Sequence, residues 1–283
     1  MMKLGASFYS FAQNANVREA MQVCKDAGYD GVEPVLSEAG YLNMKSSDAQ
    51  VKEIREMAEE LGLEIPSLGV WSLWDNNLVS GDKKMRADAR AIIKRQIEAA
   101  AILGADTVLV VPGSVGNEFS SKPEVVRYDI AYERALEGLS ALAPHAEALK
   151  VNIGIENVWN RFLLSPLEMR GLIDEINSPC VGAYFDVGNI IYVGYPEQWI
   201  EILGARIKKI HICDYRRDQA GLGAFVDVMA GDVNFRAVMA ALEGIGYDDY
   251  LTLEMLPNYK EFPYVAIRAN KHAMDELLLL NKK

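Results

Sequence analysis

The sequence predicts a single α/β domain, spanning residues 1–283, that closes into a (β/α)8 TIM barrel. Eight short apolar runs of strand character alternate with eight segments of helical character, and this alternation is typical of a parallel sheet covered by helices. The length of 283 residues fits one such barrel, which takes about 250 residues. Eight parallel strands can also form an open doubly wound sheet, so that alternative remains open.

The strand–helix units follow one another without a linker or a low-complexity tract. The predicted strands are the apolar runs 3–8, 31–35, 64–71, 107–113, 151–157, 181–189, 207–215 and 250–255. The predicted helices cover approximately 16–27, 47–61, 83–103, 124–149, 165–176, a short segment from 196, 234–244 and 261–280. A glycine-containing loop is expected over 216–231.

Capping residues mark the helix boundaries. Asn16 precedes the first helix with Glu19 three residues later, which is the spacing of a capping box. Ser165 stands before the fifth helix, with Pro166 at its first position. A glycine follows each of the first three helices, at Gly28, Gly62 and Gly104.

Charge and cysteine usage exclude several classes of protein. The formal net charge of −11 is unfavourable for a nucleic-acid surface and for an anionic membrane. The three cysteines, Cys24, Cys180 and Cys213, are widely spaced and form no C-x-x-C pair, which favours a reducing compartment. No apolar run is long enough for a membrane span or a signal peptide. We therefore expect a cytoplasmic protein with no nucleic-acid partner and no membrane partner.

Four polar residues stand near the C-terminal ends of the last four predicted strands: Glu156, Asp186, His211 and Glu254. Side chains alternate across a strand, and the residues beside His211, Ile210 and Ile212, are apolar and face the other way. The apolar face should contact the helices. We expect the four polar side chains to point into the barrel at its C-terminal mouth, where the catalytic groups of this fold lie.

Three carboxylates and one imidazole form a ligand set suited to one divalent cation. Clustered carboxylates repel one another, and a cation removes that repulsion. The oxygen-rich set favours Mn²⁺, Mg²⁺ or Co²⁺, and zinc is also compatible. Two coordination positions would remain for the oxygens of a hydroxy-ketone. The metal would then act as a Lewis acid and stabilise an enediolate.

The strings GIENVWN, FDVGN, HICDY and LTLEM, in this order at strand ends, resemble the xylose isomerase-like TIM barrel superfamily. More narrowly, they resemble its sugar isomerase/epimerase group, which includes D-tagatose 3-epimerase-type ketose epimerases. The resemblance implies that Glu156, Asp186, His211 and Glu254 bind the metal. It also implies that Glu156 and Glu254 are the catalytic acid/base pair acting on a small sugar or sugar phosphate.

Further residues are candidates for substrate binding. The family's epimerases carry an arginine six residues after the ligand histidine, and Arg217 holds that place as a candidate for a phosphate or a sugar hydroxyl. Asn189 stands where those epimerases usually have a histidine, and it can bond a hydroxyl but cannot carry a proton. Glu33 is expected to bond a sugar hydroxyl. Trp71 is expected to pack against a sugar, although such aromatic residues are also compatible with a homo-oligomer contact.

Other functions share parts of this pattern. A metal-dependent dehydratase, a lyase of the same superfamily acting on a keto-polyol or keto acid, begins with the same proton abstraction. A three-zinc DNA-repair endonuclease needs more histidines than the three in this chain. A glycosidase would use paired carboxylates but would not need His211 and Asp186. A non-catalytic sugar-binding barrel is the remaining alternative. The sequence does not separate epimerisation from aldose–ketose isomerisation.

Overall fold

The computed structural model describes residues 2–12, 14–117, 119–256, 258–259 and 261–280. Its barrel strands are β1 (Lys3–Ser7), β2 in two pieces (Gly31–Glu33 and Val35–Leu36), β3 (Ser67–Val70), β4 (Thr107–Val110), β5 (Asn152–Glu156), β6 (Val181–Asp186), β7 (Ile207–Ile212) and β8 (Tyr250–Leu253). Its helices are α1 (Val17–Ala27), α2 (Asp48–Leu61), α3 (Lys83–Leu103), α4 (Tyr128–Leu149), α5 (Pro166–Ile176), α6 (Pro196–Leu203), α7 (Phe235–Gly244) and α8 (Pro263–Leu277).

The barrel closes through the broken second strand. All neighbouring strands are parallel, and β8 pairs with β1. The first piece of β2 pairs with β1, and the second piece pairs with β3. Both ends of the sheet therefore belong to one strand, and only Pro34 separates them. This arrangement confirms the predicted (β/α)8 barrel and excludes the open doubly wound sheet.

Several predicted boundaries differ from the structure: the strands predicted over 64–71 and 181–189, for example, cover only Ser67–Val70 and Val181–Asp186. The run 31–35 was predicted as one strand, but Pro34 interrupts it because proline has no N–H to donate to a sheet. Helix α4 begins at Tyr128 rather than near residue 124. The segment before it is held as a loop, because Gly81 N–H donates to Glu124 Oε1 at 2.7 Å and Val126 N–H donates to the Val115 carbonyl at 2.8 Å.

The predicted caps are confirmed. Asn16 accepts a hydrogen bond from Glu19 N–H, and Ser165 accepts one from Glu168 N–H. The three predicted glycine caps all have positive φ, as the left-handed end of a helix requires: Gly28, Gly62 and Gly104.

The loop after β7 is more regular than the sequence suggested. A short antiparallel hairpin pairs 214–215 with 225–226. Asp214 is fully buried and accepts hydrogen bonds from Gly231 N–H at 2.8 Å and Val233 N–H at 3.1 Å. One carboxylate therefore holds both ends of this loop against the barrel mouth.

The two ends of the barrel interior carry different polar groups. Lys209 and His211 lie on the same face of β7, as strand alternation predicts. Lys209 is 1% exposed and pairs with Asp106 at 2.8 Å and Asp249 at 2.5 Å at the N-terminal end. His211 lies at the C-terminal end. In this fold, residues at the N-terminal end of the barrel generally serve stability, and residues at the C-terminal end generally serve function.

Among the described residues, no helix is long and apolar enough to cross a membrane.

Candidate metal centre

The last four barrel strands bring the four predicted ligands into one cluster: Glu156, Asp186, His211 and Glu254. Each side chain offers one ligand atom, and these atoms all lie within 4.8 Å of one another. The first three residues are buried, and the Glu254 side chain is 15% exposed. The cluster is therefore largely shielded from solvent yet reachable from the mouth.

Strand register explains this convergence. Glu156 is the last residue of β5, and Asp186 is the last residue of β6. Asp186 lies opposite His211 in the β6–β7 ladder. Glu254 follows β8, and its N–H donates to the Ile212 carbonyl at 2.9 Å. Parallel pairing thus aligns the four positions at the same end of the sheet.

A buried carboxylate orients the histidine. Glu33 Oε1 lies 2.8 Å from His211 Nε2, and both residues are fully buried. Glu33 Oε2 accepts hydrogen bonds from Ser67 Oγ at 2.6 Å and from Tyr184 OH at 2.5 Å. A proton on Nε2 that is donated to Glu33 leaves the lone pair of Nδ1 facing the cluster.

Two buried atoms in the cluster fit a cation. His211 Nδ1 and Glu254 Oε2 lie 2.6 Å apart, which is an ion pair when the imidazole is protonated, and neither atom has a hydrogen bond to a described residue. Buried polar atoms normally have partners. A lone pair and a carboxylate oxygen aimed into the same space would both be satisfied by one metal ion.

The acid–base properties of the cluster also fit a cation. Burial raises the pKa of Glu156 well above its usual range, and the charge of Glu254 raises it further. Burial and the charge of Glu254 raise the pKa of Asp186 to about 7. Burial lowers the pKa of His211, but the charges of Glu33 and Glu254 outweigh it and hold this pKa well above its usual value. These three groups therefore retain protons to higher pH than isolated groups would, and a divalent ion would compete with those protons.

Asp186 is fixed by its neighbours. Asn189 N–H donates to Asp186 Oδ1 at 2.6 Å, and the Cys213 thiol lies 3.2 Å from both carboxylate oxygens. Asn157 pairs with the Asp186 backbone in both directions, at 2.9 and 2.7 Å. The ends of β5 and β6 are therefore tied together at the cluster.

A cavity of about 240 Å³ opens above the cluster. Its polar lining consists of three of the predicted ligands and Asn189, together with Cys213. The rest of its described lining is aromatic or aliphatic: Tyr9, Trp71, Trp74, Phe119, Val158, Trp159, Leu222, Phe225 and Leu256. The polar groups lie around the predicted metal position, and the walls away from it are apolar.

Comparison with known proteins gives the family. The family described as xylose isomerase-like TIM barrel matches residues 21–280. The chain belongs to this family. The chain is 25% identical over 279 residues to the putative L-ribulose-5-phosphate 3-epimerase SgbU of Escherichia coli K12, with 94% of this chain and 92% of that protein covered.

Solved structures show the same fold. The chain matches a structure of L-ribulose 3-epimerase with a TM-score of 0.80 and 19% identity, covering 100% of this chain and 95% of that one. It also matches the IOLI protein with a zinc atom, with a TM-score of 0.80 and 19% identity, covering 98% of both chains. The xylose isomerase-like barrel is therefore supported both by sequence and by overall structure.

The predicted substrate residues of this xylose isomerase-like barrel occupy three kinds of position. Trp71 and Asn189 line the cavity. Glu33 lies behind His211, where its oxygens bond to three side chains. Arg217 lies outside the cavity lining: its Nε donates to the Ile191 carbonyl at 3.0 Å, and its guanidinium lies 5.0 Å from the centre of the Tyr195 ring.

Several residues of the site were not singled out from the sequence. Tyr9 lies two residues after the first strand, in the short helical turn Phe8–Ser10, so the rule that strand ends carry functional groups could have found it. Ser67 and Tyr184 hold Glu33 from β3 and β6, and only the closed barrel brings them together. Leu222 and Phe225 come from the glycine-containing loop after β7, which the sequence marks as a loop without distinguishing these two residues.

Proposed function

We propose that this protein is a divalent-metal-dependent isomerase or epimerase of a small sugar, acting by proton transfer at a carbon next to a carbonyl. The observation that carries the proposal is the pair Glu156 and Glu254, which face one cavity beside Asp186 and His211. Two carboxylates at a shared cation site can both accept and return protons.

The residues that would hold the cation are Glu156, Asp186, His211 and Glu254. Its donor set of three carboxylates and one imidazole suits Mn²⁺, Mg²⁺ or Co²⁺, and zinc is also compatible. When bound, the ion supplies Lewis-acid stabilisation of the negative charge that develops on the substrate oxygens.

The two glutamates approach the cavity from different sides. Glu156 ends β5 and Glu254 follows β8, and β6 and β7 lie between these strands in the barrel. A substrate carbon held between them can lose its proton to one carboxylate and regain a proton from the other. Return to the opposite face gives epimerisation, and return to the neighbouring carbon gives isomerisation.

The names of related proteins favour epimerisation over aldose–ketose isomerisation. SgbU carries the name of a putative L-ribulose-5-phosphate 3-epimerase, and fructoselysine 3-epimerase of Shigella flexneri is 21% identical over 90% of this chain. Both names describe inversion at a carbon next to a ketone, which needs the proton transfer proposed for Glu156 and Glu254.

Deuterium incorporation tests the proposal directly. Mn²⁺-loaded protein is incubated with a panel of ketoses and ketose phosphates in D2O, and the products are analysed by NMR. Deuterium at C3 is expected for an epimerase, and deuterium at C1 or C2 for an isomerase. Loss of water would instead indicate the dehydratase. Absence of exchange with every substrate would contradict the enzyme proposal.

The variant Glu254→Gln separates chemistry from folding. It keeps the shape of the side chain but removes the basic carboxylate, so exchange should fall by about 100-fold or more. Bound Mn²⁺ is measured in the same samples to separate a lost base from a lost metal. Glu201→Gln, an exposed position on α6, is the matched control and should exchange at the wild-type rate. Full activity of Glu254→Gln would refute its assignment as a proton carrier.

A further inference from the structure

The thiol of Cys213 lies in front of the carboxylate of Asp186. Cys213 directly follows β7, two residues after His211, and it is buried. Its Sγ lies 3.2 Å from Oδ1 and 3.2 Å from Oδ2 of Asp186, and both contacts have hydrogen-bond geometry. A sulfur atom that bonds equally to both oxygens lies between them, on the open side of the carboxylate. A cation must occupy this same position when one carboxylate binds it through both oxygens.

Further hydrogen bonds hold Asp186 in one orientation. Asn189 N–H donates to Oδ1 at 2.6 Å, and Asn157 is bonded to the backbone of Asp186 in both directions. Each carboxylate oxygen offers about two lone pairs, so Asn189 and the Cys213 thiol together use those of Oδ1. Oδ2 bonds to the thiol and keeps a lone pair that this bond does not use. Asp186 is therefore arranged to offer a cation one oxygen.

Packing confines the sulfur to its place in front of the carboxylate. A Cβ atom at residue 188, which is glycine, would lie 2.5 Å from Cys213 Sγ and 3.3 Å from the carbonyl carbon of Cys213. The same Cβ atom would lie 3.3 Å from the ring of Phe225. The backbone at Gly188 therefore presses against the sulfur from one side, and the Asp186 carboxylate lies on the other.

The thiol directs a ligand rather than acting as one. As the donor of its hydrogen bond to Asp186 it keeps its proton, whereas a metal-binding cysteine is a thiolate. Two other buried atoms mark the cation position, because His211 Nδ1 and Glu254 Oε2 have no hydrogen bond to a described residue. Cys213 is not part of the group of four ligand atoms that lie within 4.8 Å of one another. It therefore acts on the site through Asp186.

The number of available ligand atoms distinguishes one divalent cation from another. Ca²⁺ takes about six to eight oxygen ligands and often binds a carboxylate through both oxygens. Mg²⁺ requires near-octahedral geometry with about six ligands and keeps several waters. Mn²⁺ also suits an octahedral site. The four clustered side chains each offer one ligand atom. This arrangement suits a six-coordinate ion and is poor in ligands for Ca²⁺.

We propose that Cys213 is a positioning residue that holds Asp186 as a one-oxygen ligand and thereby makes the site discriminate against Ca²⁺ in favour of Mn²⁺ and Mg²⁺. This inference rests on the cation site of the proposed function and adds a determinant of metal specificity to it. The sulfur occupies the place from which both oxygens of Asp186 could bind one ion. Ca²⁺ thereby loses a ligand atom that a six-coordinate ion does not need.

Calorimetric titration of the metal-free protein with Mn²⁺, Mg²⁺ and Ca²⁺ measures this specificity. Cys213→Ala opens the space in front of Asp186, so the affinity for Ca²⁺ relative to Mn²⁺ should rise about 10-fold. Cys213→Ser keeps a hydroxyl donor and should keep the ratio near its wild-type value. Cys24→Ala removes another buried thiol, on α1, and is the matched control that should also leave the ratio unchanged. An unchanged ratio in Cys213→Ala, or an equal rise in Cys24→Ala, would overturn the proposal.

Diffraction from wild-type crystals soaked in Mn²⁺ tests the geometry without any substitution, so this test does not depend on the folding of a variant. The ion should contact one oxygen of Asp186, with Cys213 Sγ still in front of the carboxylate. In crystals of Cys213→Ala soaked in Ca²⁺, both oxygens of Asp186 should contact the ion. A wild-type structure in which both oxygens of Asp186 bind Mn²⁺ would overturn the role of Cys213.

Metal binding and turnover together separate the role of Cys213 from the proposed function. If the Ca²⁺-to-Mn²⁺ ratio rises as expected but no ketose or ketose phosphate exchanges deuterium, the role of Cys213 stands and the proposed function falls. If exchange occurs but the ratio is the same in Cys213→Ala and the wild type, the proposed function stands and the role of Cys213 falls. Failure of the wild-type protein to bind any of the three cations would overturn both.

Discussion

His211 lies between two carboxylates with different tasks. Glu254 shares the cluster with Nδ1, whereas Glu33 holds Nε2 from the buried side. The charge of His211 and its hydrogen bond keep the pKa of Glu33 below its usual value despite complete burial. Glu33 therefore holds the imidazole from the buried side, and we expect it to act as a positioning residue for the predicted metal site.

Replacing Glu33 by glutamine should weaken metal binding without removing a ligand. Ser67 and Tyr184 would then face an amide that can no longer accept from both of them and from His211. We expect Mn²⁺ affinity to fall 10- to 100-fold, as for other partners of metal-bound histidines. Calorimetric titration of Glu33→Gln measures the change. Glu38→Gln, an exposed position nearby, is the control. Equal affinity in the two variants would rule out the positioning role.

Sequence reasoning singled out the four residues that cluster at the barrel mouth, but not this partner. The four predicted ligands follow a local rule, since three stand at the last inward position of a strand and Glu254 directly follows one. The contact between Glu33 and His211 joins residues 178 positions apart and spans the barrel interior from β2 to β7. Strand periodicity placed Glu33 at a strand end, but only the closed barrel determines which side chain it meets.

At the scale of elements, the loop after β7 depends on one buried carboxylate. Asp214 starts the hairpin and bonds to Gly231 N–H and Val233 N–H near the loop's end. Leu222 and Phe225, which line the cavity, lie between these anchor points. The shape of one cavity wall is therefore tied to Asp214, although this side chain lies outside the cavity lining.

Asp214→Ala should loosen that wall. Unpairing these part-buried backbone donors is expected to lower the free energy of unfolding by roughly 2 kcal/mol. Hydrogen exchange measured by mass spectrometry should show reduced protection over 216–233. Asp218→Ala, at an exposed position in the same loop, is the control and should leave protection unchanged. Full protection in Asp214→Ala would show that the loop is held by other contacts.

Element boundaries were predictable where the signal is local. The caps at Asn16 and Ser165 follow from side chains that bond to nearby backbone donors, and the structure has both. The late start of α4 did not follow from its sequence, because Glu124 is held by Gly81 from another part of the chain. Proline at position 34 is itself a signal for a break in the sheet, but the predicted strand over 31–35 ran through it.

For the whole molecule, the metal-free protein should lose stability as pH rises. The pKa of Asp186 is about 7 in the folded state against a usual value of 3.8. Between these values the folded state holds more protons than the unfolded chain, so the free energy of unfolding falls with increasing pH. The raised pKa of His211 acts in the same direction above its usual value of 6.5, because the folded state retains that proton longer.

Mn²⁺ should therefore stabilise the protein more at pH 8 than at pH 6. Asp186, with a pKa of about 7, holds a proton at pH 6 that the ion must displace, and it is largely ionised at pH 8. Melting temperatures with and without Mn²⁺ at the two pH values test this. Asp186→Asn removes one of the titrating ligands, so it should reduce the pH dependence of the shift. A larger Mn²⁺ shift at pH 6 than at pH 8 would contradict the electrostatic account.

The central prediction is one cation held by four side chains at the barrel mouth, and diffraction from crystals soaked in Mn²⁺ tests it most directly. An anomalous difference map should show one strong peak in contact with Glu156, Asp186, His211 Nδ1 and Glu254. A peak bound by other residues, or no peak at the mouth under saturating Mn²⁺, would contradict the account.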